Sequence, residues 1–156
     1  MQNAKTNAMR ILDSEKLEYE VHFYESGDSV DGISVAHKLG QDVNRVFKTL
    51  VTKGKSTYFV FVIPVAEELD LKKAAKSVSE KSVEMIHVKD INKVTGYIRG
   101  GCSPVGMKKI FKTVINSTAL DFDKIIFSGG KIGAQIEMSP KELATLIGAD
   151  FEIITA

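Results

Sequence analysis

The sequence predicts an α+β domain built around a mixed sheet, either open or closed. Two observations predict this class. Short apolar strand patterns alternate with helical patterns along the chain. Some neighbouring strands are separated by hairpin-length loops, whereas others are separated by helices, and this mixture is typical of α+β domains. The length of 156 residues fits a single domain over 1–156, and we find no internal repeat, low-complexity stretch or linker.

The first half of the chain is expected to supply two helices, a strand and a hairpin. The predicted elements are helices over 5–16 and 30–39 and strands over 19–24, 46–52 and 58–63. Ser29 is the expected cap of the second helix and Gly40 its stop. The turn at 53–56 should join the last two strands as a hairpin. Both of these strands carry apolar residues on both faces, so we expect them to be deeply buried.

The second half alternates helices and strands. The predicted elements are helices over 71–78, 90–94 and 140–147 and strands over 83–88, 112–115, 124–127, 132–138 and 151–154. Asp70 and Asp90 are the expected caps of the first two helices. Ser139-Pro140-Lys141-Glu142 is a capping box with proline at the first helical position, and Gly148 ends that helix.

Composition and charge exclude several classes of protein. The formal net charge is +1, so no global field draws the chain onto nucleic acid, and an anionic partner needs a local patch. Cys102 is the only cysteine, which rules out an internal disulfide and favours a reducing compartment. No apolar stretch approaches the ~20 residues that span a bilayer, and the N-terminus has no apolar signal region. We therefore predict a soluble cytoplasmic protein with no membrane partner.

Familiar catalytic and metal motifs do not fit. The segment 101–106 resembles a nucleophile elbow, but its closing glycine falls one place late. The segment 129–131 resembles the end of a phosphate loop but lacks the earlier glycine and the following Ser or Thr. The three histidines have no metal-ligand spacing, so we predict no metal and no cofactor. Cys102 has no visible activating base, and we predict that it packs in a turn rather than acting as a nucleophile.

Lys48 is the first feature that indicates a site. It lies within the apolar run Val46-Phe47-Lys48-Thr49-Leu50-Val51. A charge in such a run is costly unless it reaches a cavity, a partner or a ligand. Buried ionisable groups concentrate at functional sites, so we favour a functional lysine. The structural alternative is an edge strand whose lysine extends to water.

Two glycine-rich segments are the second feature. The segment 96–106 holds four glycines and a proline, and 128–133 holds three glycines and Lys131. Such loops expose backbone N–H groups and let a ligand approach closely, although each alone also fits a surface turn. Together with Lys48 they are best explained if all three converge on one pocket for an anionic or carbonyl-bearing group.

Several short motifs, in this order and spacing, resemble the YbaK/EbsC family over nearly the whole chain. The motifs are Phe47-Lys48-Thr49-Leu50, Ala74-Ala75-Lys76-Ser77, Thr95-Gly96-Tyr97, Gly100-Gly101-x-Ser103-Pro104-x-Gly106, Val114-Ile115-Asn116-Ser117-Thr118-Ala119-Leu120 and Ser128-Gly129-Gly130-Lys131. Members of this family are bacterial Cys-tRNA(Pro) deacylases related to the editing domain of bacterial prolyl-tRNA synthetases. The resemblance implies a mixed, mostly antiparallel six-stranded barrel-like sheet flanked by helices.

The resemblance also implies roles for particular residues. Lys48 corresponds to the active-site lysine, and backbone N–H groups of Gly100 and Gly101 correspond to the donors that stabilise the ester oxygen. The implied substrate-binding residues are Tyr24, Thr49, Ser103, Ser128, Lys131 and Gln135. Gln135 departs from the family, since some relatives carry an acidic or small polar residue near this position. That departure bears on substrate choice more than on the reaction.

The implied reaction is hydrolysis of the ester between cysteine and tRNA(Pro). Lysine is almost fully protonated at pH 7, so Lys48 is better suited to electrostatic positioning than to general-base catalysis. No side chain is a convincing nucleophile, and the family implies that the substrate's own thiol assists. The expected partners are the 3′ end of tRNA(Pro) and, in addition, prolyl-tRNA synthetase. The alternatives are an Ala-tRNA(Pro) deacylase, a non-catalytic module that binds tRNA or a synthetase, and a small-nucleotide or phosphate-binding protein.

Overall fold

The computed structural model describes residues 4–25 and 32–156. Its helices are α1 (Asn7–Ser14), α2 (Gly32–Lys38), α3 (Leu71–Ser77), α4 (Ile91–Thr95) and α5 (Pro140–Ile147). Its strands are β1 (Glu20–Phe23), β2 (Phe47–Lys53), β3 (Tyr58–Pro64), β4 (Glu84–Met85), β5 (Lys112–Asn116), β6 (Ile125–Lys131), β7 (Ala134–Met138) and β8 (Asp150–Glu152). Across these ranges, no helix has the length and apolar character needed to cross a membrane.

The eight strands of the described ranges form two sheets. One has the order β1-β7-β6, and the other has the order β4-β2-β3-β5-β8. β3 pairs with β5 in parallel, and β5 pairs with β8 in parallel, whereas the remaining strand pairs are antiparallel. The sheets meet at an isolated parallel bridge between Val46 and Ile126, where the Ile126 N–H donates to the Arg45 carbonyl at 2.9 Å.

This architecture confirms the α+β class and the mixed, mostly antiparallel pairing. The described residues do not form a single six-stranded sheet, because backbone pairing between the two sheets is limited to the bridge between Val46, just before β2, and Ile126 of β6. Within 4–25 and 32–156 the strands divide between two sheets, and their pairing does not show a closed barrel. Barrel-like closure and a single domain over 1–156 stay predictions.

The hairpin of β2 and β3 supplies the centre of the larger sheet. Its register pairs Phe47 with Pro64 and Lys53 with Tyr58, which confirms the predicted hairpin. Val60 and Val62 face a core that also contains residues of α1, α5, β6 and β7. The alternate residues of β3 face a second core beneath α3. The predicted two-sided burial is therefore confirmed for β3.

In β2 the burial is incomplete, and the deviation locates the site. Lys48, Thr49 and Leu50 are only half-buried, unlike Phe47 and Val51 on either side of them. A cavity adjoins the strand at Lys48 and Thr49, which keeps this part of the strand from being fully covered.

The predicted caps give a mixed result. The Asp70 side chain accepts from the N–H groups of Lys72 and Lys73, and Ser139 accepts from the N–H of Glu142, as predicted. Asp90 stands at the cap position of α4, but its side chain makes no capping hydrogen bond. The predicted cap of α2 at Ser29 lies outside the described residues.

The predicted strand over 83–88 shortens to β4. Glu84 and Met85 are exposed and pair only with the last two residues of β2, Lys53 and Thr52. The following residues turn at once into a short 3-10 helix over Val88–Asp90. An edge position with no further partner strand explains why the apolar run does not extend the sheet.

Candidate active site

The separated motifs of the sequence meet at one cavity of about 130 Å³. It lies where the start of β2 faces the end of β1, the glycine-containing part of β6, and the loop that follows α4. Six of the nine predicted site residues border it, and these are Tyr24, Lys48, Thr49, Gly100, Ser128 and Gln135. The convergence expected of Lys48 and the two glycine-rich segments therefore occurs in the structure.

Lys48 brings a positive charge to this cavity. Its Nζ donates to the Val65 carbonyl at 3.3 Å, just beyond the end of β3. Among the ion pairs formed within the described residues, none involves Lys48. A half-buried ammonium group without a carboxylate partner is well placed to attract a negatively charged or carbonyl oxygen.

Thr49 adds an unused hydroxyl group. Its Oγ1 is buried and has no hydrogen-bond partner within the described part of the chain. Leaving a buried hydroxyl unpaired costs about 1–3 kcal/mol. A polar group of a bound substrate would recover that cost, so Thr49 favours a ligand with hydrogen-bonding atoms.

A β-bulge in β6 presents Ser128 to the cavity. The register of β6 against β7 shifts between Ser128 and Lys131. Gly130 adopts a φ of +102°, which favours glycine, and its N–H donates to Ser128 Oγ at 3.2 Å. The Thr6 hydroxyl fixes the same segment by donating to the Gly129 carbonyl at 2.5 Å. Bulges commonly redirect side chains beside active sites.

The ends of β1 and β7 supply Tyr24 and Gln135. The Tyr24 N–H donates to the Gly133 carbonyl at 2.9 Å, which ties the chain after β1 to the β6–β7 turn. Gln135 is 5% exposed, and its Oε1 accepts from Gln41 Nε2 at 2.8 Å. Gln41 was not predicted as a site residue, because a polar residue after a helix carries no distinctive sequence pattern.

The loop after α4 is closely fastened rather than a loose surface turn. The Tyr97 hydroxyl donates to the Val105 carbonyl at 2.5 Å, and the Val105 N–H donates to Ser103 Oγ at 3.3 Å. The Gly101 N–H donates to the Ile98 carbonyl at 3.0 Å. These bonds hold Gly100 at the cavity wall.

The same bonds separate two predicted residues from the cavity. Gly101 does not border it, and its N–H is already used by Ile98, so it is poorly placed as a donor to the ester oxygen. Ser103 is fully buried and closes a turn instead of facing the cavity. Sequence reasoning missed this difference, because adjacent loop residues look alike until the hydrogen bonds of the loop are known.

Replacing Tyr97 by phenylalanine tests how firmly the loop is held. The change removes the donor to a buried carbonyl while keeping the ring, so we expect the free energy of unfolding to fall by about 1–2 kcal/mol. Chemical denaturation of wild type and Tyr97→Phe measures this. Tyr58→Phe, in which the hydroxyl lies on a half-buried strand end, is the control. An unchanged stability of Tyr97→Phe would contradict the assigned role of the bond.

Cys102 borders the cavity, but its environment disfavours the reactive thiolate form. Burial raises the pKa of its thiol to about 11, and a hydrogen bond with Thr95 only partly opposes this. The nucleophilic form of cysteine is the thiolate, which is therefore scarce at pH 7. This environment agrees with the predicted packing role.

Lys131 lies outside the cavity. Its Nζ donates to the Ala4 carbonyl at 3.1 Å and stands 5.9 Å from the centre of the Phe23 ring. Lys131 was predicted to bind substrate, but it is not among the residues that line the cavity. Its position beside β1 is on the outer edge of the site.

A charged cluster on β7 was also not predicted. The carboxylate of Glu137 pairs with His22 Nε2 at 2.7 Å and with Arg45 at 2.8 Å. Glu20, His22 and Glu137 are the described residues whose positions could suit a metal ion. Arg45 already neutralises Glu137, so the cluster is better explained as an ion-pair network than as a metal centre.

This network predicts a pH-dependent stability. Burial by itself raises the pKa of Glu137, but the hydrogen bonds from His22 and Arg45 outweigh it and hold the pKa below its usual value. The resulting stabilisation is present above the unfolded-state pKa of about 4.3 and is lost as the pH falls towards the folded-state value. Wild type should therefore lose more stability between pH 6 and pH 3 than Glu137→Gln. Parallel unfolding curves would contradict this, and Glu84→Gln on exposed β4 is the control.

Comparisons with known proteins agree on one family for this chain. A family model described as "Aminoacyl-tRNA editing domain" matches residues 29–146. The chain is 50% identical over 153 residues to a protein of Enterococcus faecalis described as "Putative Cys-tRNA(Pro)/Cys-tRNA(Cys) deacylase EbsC", covering 97% of this chain and 93% of that protein. A 76-residue stretch, 49% of this chain, is 36% identical to 13% of a proline–tRNA ligase of Fervidobacterium nodosum.

A solved structure shares the fold. A crystal structure described as a "putative trans-editing enzyme for prolyl tRNA synthetase" superposes with a TM-score of 0.83 at 23% identity, covering 99% of both chains. The family and the full-length relative confirm the resemblance found in the sequence motifs, together with the enzyme class that it implies, an aminoacyl-tRNA deacylase. The chain therefore belongs to the aminoacyl-tRNA editing domain family.

Proposed function

We propose that this chain is a trans-editing hydrolase that cleaves the aminoacyl ester of mischarged Cys-tRNA(Pro), with the substrate thiol assisting. The observation that carries the proposal is the composition of the cavity. The cavity is bordered by the Lys48 ammonium group, the backbone at Gly100 and the hydroxyl-bearing residues Thr49 and Ser128. Its bordering thiol, Cys102, has a raised pKa. Such a site can bind and polarise an ester but offers no activated nucleophile of its own.

Lys48 and Gly100 would act on the charge that develops during the reaction. Attack on the ester carbonyl places negative charge on its oxygen, and preorganised donors at that oxygen typically supply about 3–4 kcal/mol each. Lys48 would supply fixed positive charge, and the N–H of Gly100, a residue that borders the cavity, would be the backbone donor. The hydroxyl groups of Thr49 and Ser128 would hold the terminal ribose.

The substrate thiol would replace the missing nucleophile. Its sulfur attacks the carbonyl carbon of its own ester, forming a carbon–sulfur bond as the carbon–oxygen bond to the ribose breaks. The thiol proton ends on the released ribose hydroxyl. Water then opens the cyclic thioester to give free cysteine. A reaction that needs the substrate thiol distinguishes cysteine from other amino acids more strongly than the size of the cavity does. A difference of one methylene group changes the binding free energy by only about 1–3 kcal/mol.

The cavity volume favours a small amino acid. A volume of about 130 Å³ is slightly smaller than that of an engineered cavity of about 150 Å³ that binds benzene, so the cavity fits a side chain of a few heavy atoms. Alanine meets the same limit, and an Ala-tRNA(Pro) deacylase is therefore the second candidate. The match to a proline–tRNA ligase supports tRNA(Pro) as the tRNA. The proposed function would be carried out in the cytoplasm, with prolyl-tRNA synthetase as a partner.

A substrate series tests the proposal. Purified protein is incubated with Cys-tRNA(Pro), Ser-tRNA(Pro) and Ala-tRNA(Pro), with and without prolyl-tRNA synthetase, and release of the amino acid is followed. We expect rapid hydrolysis of Cys-tRNA(Pro) and slow hydrolysis of the serine and alanine esters. Fast Ala-tRNA(Pro) hydrolysis would move the function to alanine editing. Binding without turnover of any ester would support the non-catalytic module.

Cys102→Ala belongs in the same series. If the substrate brings its own thiol, this variant should keep most of the wild-type rate, because Cys102 is protonated at neutral pH. An inactive but folded Cys102→Ala would replace thiol assistance by an enzyme nucleophile.

A further inference from the structure

Gln135 is a buried polar residue of β7 that borders the cavity. It pairs in register with Ser128 of β6 and with His22 of β1, so it lies on the middle strand of its sheet. Its neighbours along the strand, Ala134 and Ile136, pack into the core shared with α1. Strand side chains alternate between the two faces of a sheet, so Gln135 points to the opposite face from these two residues. There it borders the cavity together with Ser128.

Gln41 reaches Gln135 from the end of α2. Gly40 follows that helix with a φ of +69°, which favours glycine, and the Gln41 N–H donates to the Ala36 carbonyl at 2.8 Å. This backbone bond fixes the position from which the Gln41 side chain extends. Its Nε2 donates to Gln135 Oε1 at 2.8 Å. Gln41 is not among the described residues that border the cavity, so its effect on a ligand must pass through Gln135.

The hydrogen bond between the two amides decides which atom of Gln135 remains free. A glutamine amide offers an oxygen acceptor and an NH2 donor group, and the Gln135 oxygen is taken by Gln41. The reverse arrangement would put the Gln41 NH2 group where the Gln41 oxygen is now buried without a hydrogen-bond partner among the described residues. Buried N–H groups without an acceptor are rarer in proteins than carbonyl oxygens without a full set of donors, which favours donation from Gln41 to Gln135.

The Gln135 NH2 group is therefore left for the cavity. Its Nε2 has no hydrogen-bond partner within the described part of the chain, yet it is not one of the fully buried atoms that lack a partner. It is thus open to the space that Gln135 borders. Lys48 brings a further donor to the same cavity from the other sheet. Donors on both sheets suit the acceptor atoms of an ester.

We propose that Gln41 is a positioning residue that turns the Gln135 amide, so that its NH2 group and not its oxygen faces the cavity and donates to an acceptor atom of the aminoacyl group. This inference rests on the proposed function, because that function puts the aminoacyl group in the cavity. A side chain held by a supporting hydrogen bond meets its ligand without first having to be ordered. Gln41 thus acts on substrate binding without touching the substrate.

Replacing Gln41 by glutamate tests the direction of the hydrogen bond. An ionised carboxylate can only accept, so it would take an N–H of Gln135 and turn the Gln135 oxygen towards the cavity. At neutral pH, Gln41→Glu should raise KM for Cys-tRNA(Pro) about tenfold with little change in kcat, as Gln135→Glu should. Asn44→Asp is the matched control, since it adds the same charge at an exposed residue three positions on. An unchanged KM for folded Gln41→Glu would overturn the inference.

A double-mutant cycle tests whether Gln41 acts through Gln135. Gln41→Met removes the donor, and Gln135→Met removes the amide that the donor orients. Each single variant should raise KM about tenfold, and the double variant should raise it no further than Gln135→Met alone. A merely structural Gln41 would add its own loss to that of Gln135→Met, and such additive losses would contradict the positioning role. Circular dichroism confirms that each variant is folded.

Proton exchange in the free protein tests the orientation without any substrate. In ¹⁵N-labelled wild type, the side-chain amide protons of Gln41 should exchange with water more slowly than those of Gln135, because Gln41 is the donor of the pair. The two sets of signals are those missing from Gln41→Met and Gln135→Met, or are assigned through neighbouring residues if a variant is unfolded. In Gln41→Glu the Gln135 protons should slow relative to wild type. Slower exchange at Gln135 than at Gln41 in wild type would show the opposite orientation and overturn the inference.

Exchange and kinetics together separate this inference from the proposed function. If no ester is hydrolysed but the exchange rates are as expected, the proposed function fails and the orientation of Gln135 by Gln41 stands. If Cys-tRNA(Pro) is hydrolysed and the folded Gln41 variants match wild type in KM, the positioning role fails and the function stands.

Discussion

Replacing Lys48 by alanine is expected to lower kcat/KM for Cys-tRNA(Pro) by about 10²- to 10³-fold. Removal of one charge-stabilising donor from an active site has an effect of this size. The Lys48 ammonium group borders the cavity, where it donates to Val65 and has no ion-pair partner among the described residues. The deacylation rate of Cys-tRNA(Pro) under single-turnover conditions measures the loss.

The strand that carries Lys48 supplies its own control. Lys53→Ala changes the same residue type at the far end of β2, where Lys53 is exposed and pairs with Tyr58 and Glu84. Its rate should stay close to wild type. Lys48→Arg keeps the charge but changes its position, so an intermediate rate is expected. A wild-type rate for folded Lys48→Ala would remove this lysine from the mechanism.

Replacing Gly101 by valine is expected to lower the free energy of unfolding by about 3 kcal/mol or more and to reduce kcat/KM about 100-fold. A Cβ at Gly101 would stand 2.9 Å from Lys131 Cα and 3.0 Å from Ile132 N. Backbone cannot step aside as a flexible side chain does, so the loop must shift away from the β6–β7 turn. Gly100 would move with it, and a 1 Å displacement can cost about 100-fold in rate.

Thermal unfolding and single-turnover deacylation of Gly101→Val check the two expectations. Gly148→Ala is the matched control, because a Cβ there meets nothing within 4 Å although its φ is +68°. It should lose only about 1–2 kcal/mol to backbone strain and should keep its activity. If Gly101→Val were as stable and active as wild type, the close approach of Gly101 to the β6–β7 turn would not be needed for stability or activity.

The sequence predicted the elements with local signals better than their assembly. Two apolar, β-branched runs around a turn located the hairpin of β2 and β3, and a capping box located α5, because both signals depend on neighbouring residues. The strands divide into two sheets because pairing between them stops at one bridge, Val46–Ile126, whose residues are 80 positions apart. No local pattern encodes where such a distant pairing stops.

The predicted site residues show the same limit of local sequence signals. Lys48 was recognisable because a charge in an apolar strand conflicts with burial. Gly100 and Gly101 are indistinguishable in sequence, and the structure distinguishes them because Gly100 borders the cavity whereas the Gly101 N–H donates to Ile98. The partnership of Gln41 with Gln135 spans 94 positions and carries no sequence signal.

The junction between the two sheets makes the cavity sensitive to movement. Lys48 and Thr49 belong to one sheet, whereas Ser128 and Gln135 belong to the other. The sheets are joined by the bridge between Val46 and Ile126, each two residues before a cavity residue, Lys48 and Ser128. A small rotation of one sheet about this bridge would therefore change the distance between Lys48 and Ser128, which border the same cavity. The width of the cavity follows the angle between the sheets.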